Sequence, residues 1–324
     1  MKKLLVTDPV HDLLLERFTA AGYCIDYLPE ITDAEVRKII ISYTGIIINS
    51  KVKIDKEMLD KAVNLQFVAR LGSGMEIVDK AYAALKNVAV YSSPEGNCNA
   101  VAEHALGMLL ALYNNLLRAD QQLRRFDWQR EANRGYELAG KTIAIIGYGH
   151  TGSAFAQKLQ GLDMNVLVYD KYLPKGYTET KLNSVTKAPF NQKTFVKESD
   201  YETIFKEADI LSLHLPLSQE THYFANDALF SQFHKKITLI NTSRGNVVKL
   251  TSLIKNLQSG KVVGACLDVF ENETPNTFSD NEKRLYENLY LFDNVLLTPH
   301  IAGWTHEAKH RMAEVLCSKV LEPK

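Results

Sequence analysis

Residues 141–170 read KTIAIIGYGHTGSAFAQKLQGLDMNVLVYD. An apolar strand, TIAII, runs directly into Gly147-Tyr148-Gly149-His150-Thr151-Gly152. A helix-like run, SAFAQKLQGL, follows, and a second apolar strand, NVLVYD, closes on Asp170. The pattern GxGxxG is weak evidence by itself, because glycine pairs occur in many turns. Its setting gives it meaning. In a strand–turn–helix unit the first glycine makes the tight turn, the second lets backbone approach a pyrophosphate, and the third allows close helix–strand packing. The helix N-terminus then offers free N–H groups and partial positive charge to phosphates, with His150 and Thr151 opening it. An acid about 20 residues on accepts both hydrogens of a ribose diol and repels a 2′-phosphate. Asp170 has that place and favours NAD over NADP, although Lys171 beside it pulls the other way. The competing readings are a structural glycine turn and an S-adenosylmethionine-binding fold, which shares part of this pattern.

Outward from this unit, short apolar runs alternate with helix-like stretches. The strand candidates before it are 4–8, 24–28, 45–50, 65–71 and 88–93; those from it onward are 141–149, 165–170, 210–216, 237–243, 262–270 and 294–300. Most are rich in Val, Ile and Leu with little alternation, as strands buried on both faces are. Alternating strand and helix predicts a doubly wound α/β fold. Two sets of strands predict two parallel sheets, with a helix over 99–126 leading from the first to the second. Its apolar positions Val101, Ala105, Met108, Leu109, Leu112 and Leu116 keep helical spacing. That face is read either as ordinary core or as core plus a subunit contact. The polar segment 171–200 is longer than a usual connection and reads as an irregular surface excursion.

Composition narrows the function classes. The chain has 324 residues with 38 basic and 38 acidic ones, for a net charge of zero. A nucleic-acid footprint is therefore absent as a global feature. No run approaches the ~18 apolar residues of a membrane helix. The N-terminal MKKLLVTDPVHD loses its apolar character at Thr7 and Asp8, so it reads as a buried strand rather than a signal peptide. Four scattered cysteines, Cys24, Cys98, Cys266 and Cys317, form no CxxC and suit a reducing cytoplasm.

Three charged residues stand at the ends of apparent strands: Arg244 after ITLINTS, Glu273 shortly after GACLDVF, and His300 after NVLLTP. Ligand sites in open α/β sheets lie outside the carboxyl ends of strands, so the three could share one crevice. Their types suit hydride transfer to a carbonyl. An arginine fork holds a carboxylate and polarises the neighbouring keto oxygen. A histidine supplies or removes the alcohol proton. A carboxylate beside a histidine orients the ring and favours its charged form. Each residue alone reads as a surface charge or strand cap; their shared position joins them.

LINTSRGNVV (239–248), GACLDVFENETP (264–275) and LLTPHIAGWTHEA (296–308), together with GYGHTG, closely resemble the D-isomer-specific 2-hydroxyacid dehydrogenases. VARLGSGMEIVD (68–79), PEGNCNAVAEHALG (94–107) and SLHLPLSQET (212–221) extend the resemblance over most of the chain. It implies a discontinuous, flavodoxin-like substrate domain at 1–99 plus 302–324, and an inserted Rossmann NAD-binding domain at 100–301. The cleft would lie between them, with hinges near Asn99 and Pro299. It implies Arg244 as the substrate-binding arginine, His300 as the catalytic histidine and Glu273 as its paired acid. Backbone N–H groups of Ser73 and Gly74 would bind the substrate carboxylate in an anion nest. Gly147, Gly149, His150, Thr151, Gly152 and Asp170 would take NAD, Leu215, Pro216 and Thr221 would border its adenosine half, Thr242 and Ser243 would lie near the nicotinamide, and Asp268 would hold the carboxamide. A cytoplasmic homodimer using the 99–126 helix, a small-molecule substrate, and no membrane, nucleic-acid or metal partner complete the expectation.

Lys249 stands where the family commonly has an acid, and Met75-Glu76 where it has Asp-Asn or similar. The chain resembles the short D-3-phosphoglycerate dehydrogenase-like branch about as well as generic members. A phosphate would need cations; Lys51, Lys53, Arg70, Arg130 and Arg134 are the candidates, each against a solvated surface charge. The length leaves no room for a separate regulatory module. His306-Glu-Ala-Lys-His310 formally matches HExxH, but with no third ligand in view it reads as a solvated helix face. Two other functions stay open: an NAD-sensing interaction module with little turnover, and formate oxidation, which Glu273 disfavours because that branch carries a different residue there.

Overall fold

The computed structural model describes residues 2–173 and 196–322. The chain divides into two compact units, one formed by 1–100 with 303–324, the other by 101–302.

In the first unit, β1 (Lys2–Val6), β2 (Tyr23–Tyr27), β3 (Gly45–Ile48), β4 (Phe67–Arg70) and β5 (Ala89–Ser92) form one sheet. The order is β2-β1-β3-β4-β5, with every pair parallel. This is the flavodoxin-like order. Parallel neighbours need crossovers, supplied by α1 (Asp12–Ala20), α2 (Asp33–Ile39), α3 (Lys56–Lys61) and α4 (Lys80–Leu85). Central strands are covered on both faces, so Gly45–Ile48 is buried at every position. The final helix, α12 (His306–Leu321), returns to this unit and seats Ala313, Leu316 and Cys317 against Leu4, Val6, Leu14 and Phe67.

In the second unit, β6 (Thr142–Ile146), β7 (Asn165–Tyr169), β8 (Val196–Glu198), β9 (Ile210–Leu213), β10 (Ile237–Asn241), β11 (Val262–Leu267) and β12 (Val295–Leu297) form a parallel sheet. Its order is β12-β11-β10-β9-β6-β7-β8. This is the Rossmann order with one strand added at the far edge, and its switch point lies between β6 and β9. The crossover helices are α7 (His150–Lys158), α8 (Tyr201–Glu207), α9 (Asp227–Gln232), α10 (Leu250–Gln258) and α11 (Asp280–Tyr290).

Two expectations change. The helix over 99–126 is two helices, α5 (Pro94–Tyr113) and α6 (Leu116–Leu123), broken at Asn115, which takes φ 52°. Val101, Ala105, Met108 and Leu109 are core, but Leu116 is 54% exposed. Asn tolerates the left-handed conformation that ends the first helix. The excursion over 171–200 contains an edge strand, Val196–Glu198, paired parallel with β7. Its sequence, VKE, has no apolar run to mark it, because an edge strand needs only one covered side. Residues 174–195 of that segment lie outside the described residues. No helix among the described residues is long and apolar enough to cross a membrane.

Candidate active site

The glycine turn sits at the switch point of the second unit. Gly147 takes φ +92°, and a Cβ there would lie 2.3 Å from the His214 carbonyl oxygen and 3.4 Å from a Leu215 methyl. Leu215 is thereby placed at the turn, after β9. A Cβ on Gly152 would lie 2.0 Å from the Gly147 carbonyl oxygen, so only glycine lets α7 press against the strand end. Gly149 has open space where its side chain would be. It is also the N-cap of α7, and no side chain caps that helix. A glycine-capped helix N-terminus beside open space suits a phosphate.

Asp170 follows β7. One carboxylate oxygen accepts Tyr148 N–H at 2.8 Å and the other accepts Tyr172 N–H at 2.9 Å. Asp170 therefore shapes the glycine loop, with lone pairs left over for a diol. Lys171 pairs with Glu220, which occupies its charge. Pro216 and Thr221 close one small loop through a hydrogen bond from the Thr221 hydroxyl to the Pro216 carbonyl at 2.6 Å. After β10, Ser243 N–H and hydroxyl both donate to Asn241 Oδ1. Thr242 Oγ1 is buried with no partner, as is His214 Nδ1. A buried hydroxyl without a partner is costly unless a bound group satisfies it. The turn, the uncapped helix and this orphaned hydroxyl together fit a dinucleotide.

Arg244 follows β10, Glu273 follows β11 and His300 follows β12, so neighbouring parallel strands deliver all three to one sheet edge. His300 Nδ1 lies 2.7 Å from Glu273 Oε2. Burial pushes the Glu273 carboxyl up, but hydrogen bonding and charge from His300, Phe270 N–H and the Arg244 charge outweigh it and leave it below the usual glutamate range. An ionised carboxylate only accepts, so Nδ1 carries the proton and Nε2 is left for chemistry. Arg244 Nη1 donates to the Ser243 carbonyl at 2.6 Å, and Asn241 Nδ2 donates to the Arg244 carbonyl at 2.9 Å.

His300 takes φ +54°, a left-handed conformation that costs a non-glycine residue roughly 1–2 kcal/mol. Asp268 holds it there. This carboxylate is 1% exposed. It accepts the Thr298 hydroxyl at 2.6 Å, Ile301 N–H at 2.9 Å and Ala302 N–H at 2.9 Å. The Asp268 carbonyl accepts His300 N–H at 2.8 Å. His104 of α5 adds a 3.0 Å contact from Nε2 to Thr298 Oγ1. The sequence reads α5 as ordinary core or as core plus a subunit contact, and it gives His104, within PEGNCNAVAEHALG, no role.

In the first unit, the turn carrying Ser73 and Gly74 follows β4. Gly72 N–H donates to buried Ser93 Oγ at 3.0 Å, and Ser93 N–H donates back to the Gly72 carbonyl at 3.0 Å. Among the candidate cations, Arg70 folds over this turn, its Nη1 lying 3.0 Å from where a Gly72 side chain would begin. Its Nε donates to the Asn49 carbonyl at 3.1 Å. Lys51 is bound to the Pro29 carbonyl and Arg134 to Glu131. His306 is exposed, while His310 faces His11 edge-on and pairs with Glu314.

Residues 106–302 match the model for the NAD-binding domain of D-isomer-specific 2-hydroxyacid dehydrogenases. A hydroxypyruvate reductase of Thermotoga maritima is 33% identical over 89% of this chain and 87% of its own length. A D-3-phosphoglycerate dehydrogenase of Archaeoglobus fulgidus is 29% identical over 98% of this chain. The chain spans only 56% of that relative's length. A solved D-lactate dehydrogenase of Aquifex aeolicus, complexed with NAD and lactic acid, superposes with a TM-score of 0.80 over 99% of this chain and 94% of its own, at 26% identity.

Proposed function

The chain belongs to the D-isomer-specific 2-hydroxyacid dehydrogenase family, and from that premise we propose that it interconverts a short D-2-hydroxy acid and its 2-keto acid with NAD as the hydride carrier. The observation that carries this reading is the 2.7 Å pair of His300 and Glu273 at the strand ends beside Arg244.

NAD, when bound, supplies or accepts the hydride at the carbon bearing the oxygen. The glycine turn and the α7 N-terminus would hold its phosphates, and Asp170 its adenine ribose. Leu215, Pro216 and Thr221 would border its adenosine half. Thr242, Ser243 and Asp268 would hold the nicotinamide end. The engagement of Lys171 by Glu220 supports NAD over NADP. On the substrate, the Arg244 fork holds the carboxylate and polarises the keto oxygen. During reduction His300 Nε2 donates its proton to that oxygen; during oxidation it takes the proton back. Glu273 keeps the ring in the required tautomer and stabilises its charged form.

The Ser73–Gly74 turn is read separately as a carboxylate nest in the first unit, which we assign as the substrate domain. Neither N–H is taken by another group among the described residues. Arg70 over the turn supports an acid with a second anionic group, such as a phosphorylated three-carbon acid. Following NADH absorbance with glyoxylate, pyruvate, hydroxypyruvate, branched 2-keto acids and 3-phosphohydroxypyruvate tests both levels. Turnover of any keto acid supports the reaction class. At least a tenfold preference in kcat/KM for the phosphorylated acid supports the Arg70 reading. Bound NADH with silence across the panel would favour the NAD-sensing module instead.

A homodimer through the inserted domain is the assembly this surface supports. Leu116 (54% exposed), Phe126 (99%) and Trp128 (75%) leave apolar side chains bare on and after α6, which supports a contact there. Sedimentation velocity should give twice the chain mass at micromolar concentration; a monomer would remove the proposal. All four cysteines are unpaired, which supports a cytoplasmic setting.

A further inference from the structure

Glu271 stands two residues before Glu273 within GACLDVFENETP, and the sequence reading gives it no role. Its two carboxylate oxygens go to different segments. Oε1 accepts Leu250 N–H at 2.6 Å, and Oε2 accepts the Tyr223 hydroxyl at 3.2 Å. Leu250 is the first residue of α10, and the N-cap before it is Lys249, whose side chain makes no capping hydrogen bond. Lysine has no acceptor to cap with, and its charge opposes the helix dipole at that end. Glu271 supplies from another segment what the N-cap residue lacks: an acceptor and a negative charge.

The surrounding contacts make this a junction. A Cβ on Gly245 would lie 1.8 Å from the Phe270 carbonyl oxygen, so the segment after Arg244 touches the segment before Glu273. Tyr223 N–H donates to the Asn246 carbonyl at 2.7 Å, Ala225 N–H to the Val247 carbonyl at 2.9 Å, and Lys249 N–H to the Ala225 carbonyl at 2.9 Å. Three segments, 221–225, 244–250 and 268–273, therefore meet at one carboxylate. Burial, then the Glu271 charge, raises the Tyr223 phenol above its ordinary range, so that hydroxyl stays a donor.

We propose that Glu271 is a positioning residue: by capping α10 in place of Lys249, it fixes where Arg244 stands relative to Glu273 and His300. The proposal rests on Arg244, Glu273 and His300 being the catalytic set. Arg244 is separated from the capped residue only by a short 3-10 turn, Gly245–Val247, and two residues, so a loose α10 N-terminus moves the guanidinium first.

The test uses E271A, E271Q and the double variant K249D/E271A. E271A leaves the Leu250 N–H unsatisfied and is expected to lower kcat/KM for the best keto acid on the order of tenfold. The loss should fall mainly on the keto-acid KM, with the Kd for NADH, read by fluorescence, within twofold. E271Q keeps an acceptor oxygen and should recover most of the activity. K249D/E271A should recover part of it, because an N-cap aspartate returns an acceptor and a negative charge to the first turn through the Thr251 or Ser252 N–H, although not through Leu250 N–H. Wild-type kcat/KM in E271A, or a loss that neither change relieves, overturns the proposal. So does an equal loss of NADH affinity, which would mark general disruption. If E271A does not fold, a folded and active K249D/E271A supports the proposal and an insoluble one overturns it. If the wild type turns over no keto acid, the functional reading fails separately, and the cap is judged by thermal unfolding. A Tm lowered by E271A and restored by K249D sustains the cap, and an unmoved Tm ends it.

Discussion

Replacing His300 with asparagine is expected to lower kcat for keto-acid reduction by roughly 10²- to 10⁴-fold, the usual contribution of a positioned acid–base group. Asparagine is the informative choice because it tolerates the left-handed backbone that His300 adopts at φ +54°. The Asp268 clamp on Ile301 and Ala302 then stays in place. The loss would report the missing proton donor rather than a collapsed loop. NADH affinity should stay within about twofold, since the residues assigned to the cofactor's phosphates and ribose lie at the other strand ends. Turnover within a few-fold of wild type would remove His300 from the mechanism.

The pH dependence follows from the partner. Glu273 lies below the ordinary glutamate range because His300, Phe270 N–H and Arg244 together outweigh its burial. A depressed carboxyl favours the folded, paired arrangement above its unfolded pKa, and that contribution is lost as pH falls through the depressed value. At neutral pH Glu273 is ionised and fixes the His300 tautomer. On acidification it loses its charge, so the wild type should show an acid-side fall in activity that His300→Asn lacks.

Arg244→Lys is expected to lower kcat/KM by roughly 10²- to 10³-fold, even though the charge is kept. A guanidinium makes two parallel bonds to a carboxylate, whereas an ammonium is a point charge on a flexible stem. Losing one charge-assisted bond and the alignment of the other amounts to about 3–4 kcal/mol, at about 1.4 kcal/mol per tenfold. Both parameters should move, KM upward and kcat downward, because the same fork touches substrate carboxylate and reacting oxygen. Arg244→Ala should be worse on both counts and also remove one of the charges that hold the Glu273 carboxyl down. If only KM changed, Arg244 would bind the acid without polarising its carbonyl.

The sequence by itself determined the two parallel sheets and the class of chemistry. Strands such as TIAII and GIII announce themselves because burial on both faces demands unbroken apolar runs. The glycine turn is legible because its steric demands leave no alternative residue at Gly147 or Gly152. Tertiary structure alone decided what depends on neighbours distant in the chain. The edge strand Val196–Glu198 exists because β7 offers it hydrogen bonds, not because VKE asks to be a strand. The break at Asn115 turned one expected helix into two and left Leu116 on the surface. In sequence Asp268 reads as a cofactor contact, and what the fold shows is its carboxylate clamping the loop that strains His300. In sequence Lys249 is only a departure from an acid common in the family; the fold puts it at the start of α10, where Glu271 from another strand end supplies the missing acceptor. Apolar periodicity is local and survives in one dimension. A hydrogen bond between strand-end loops depends on sheet order, and sheet order is settled only when the whole core packs.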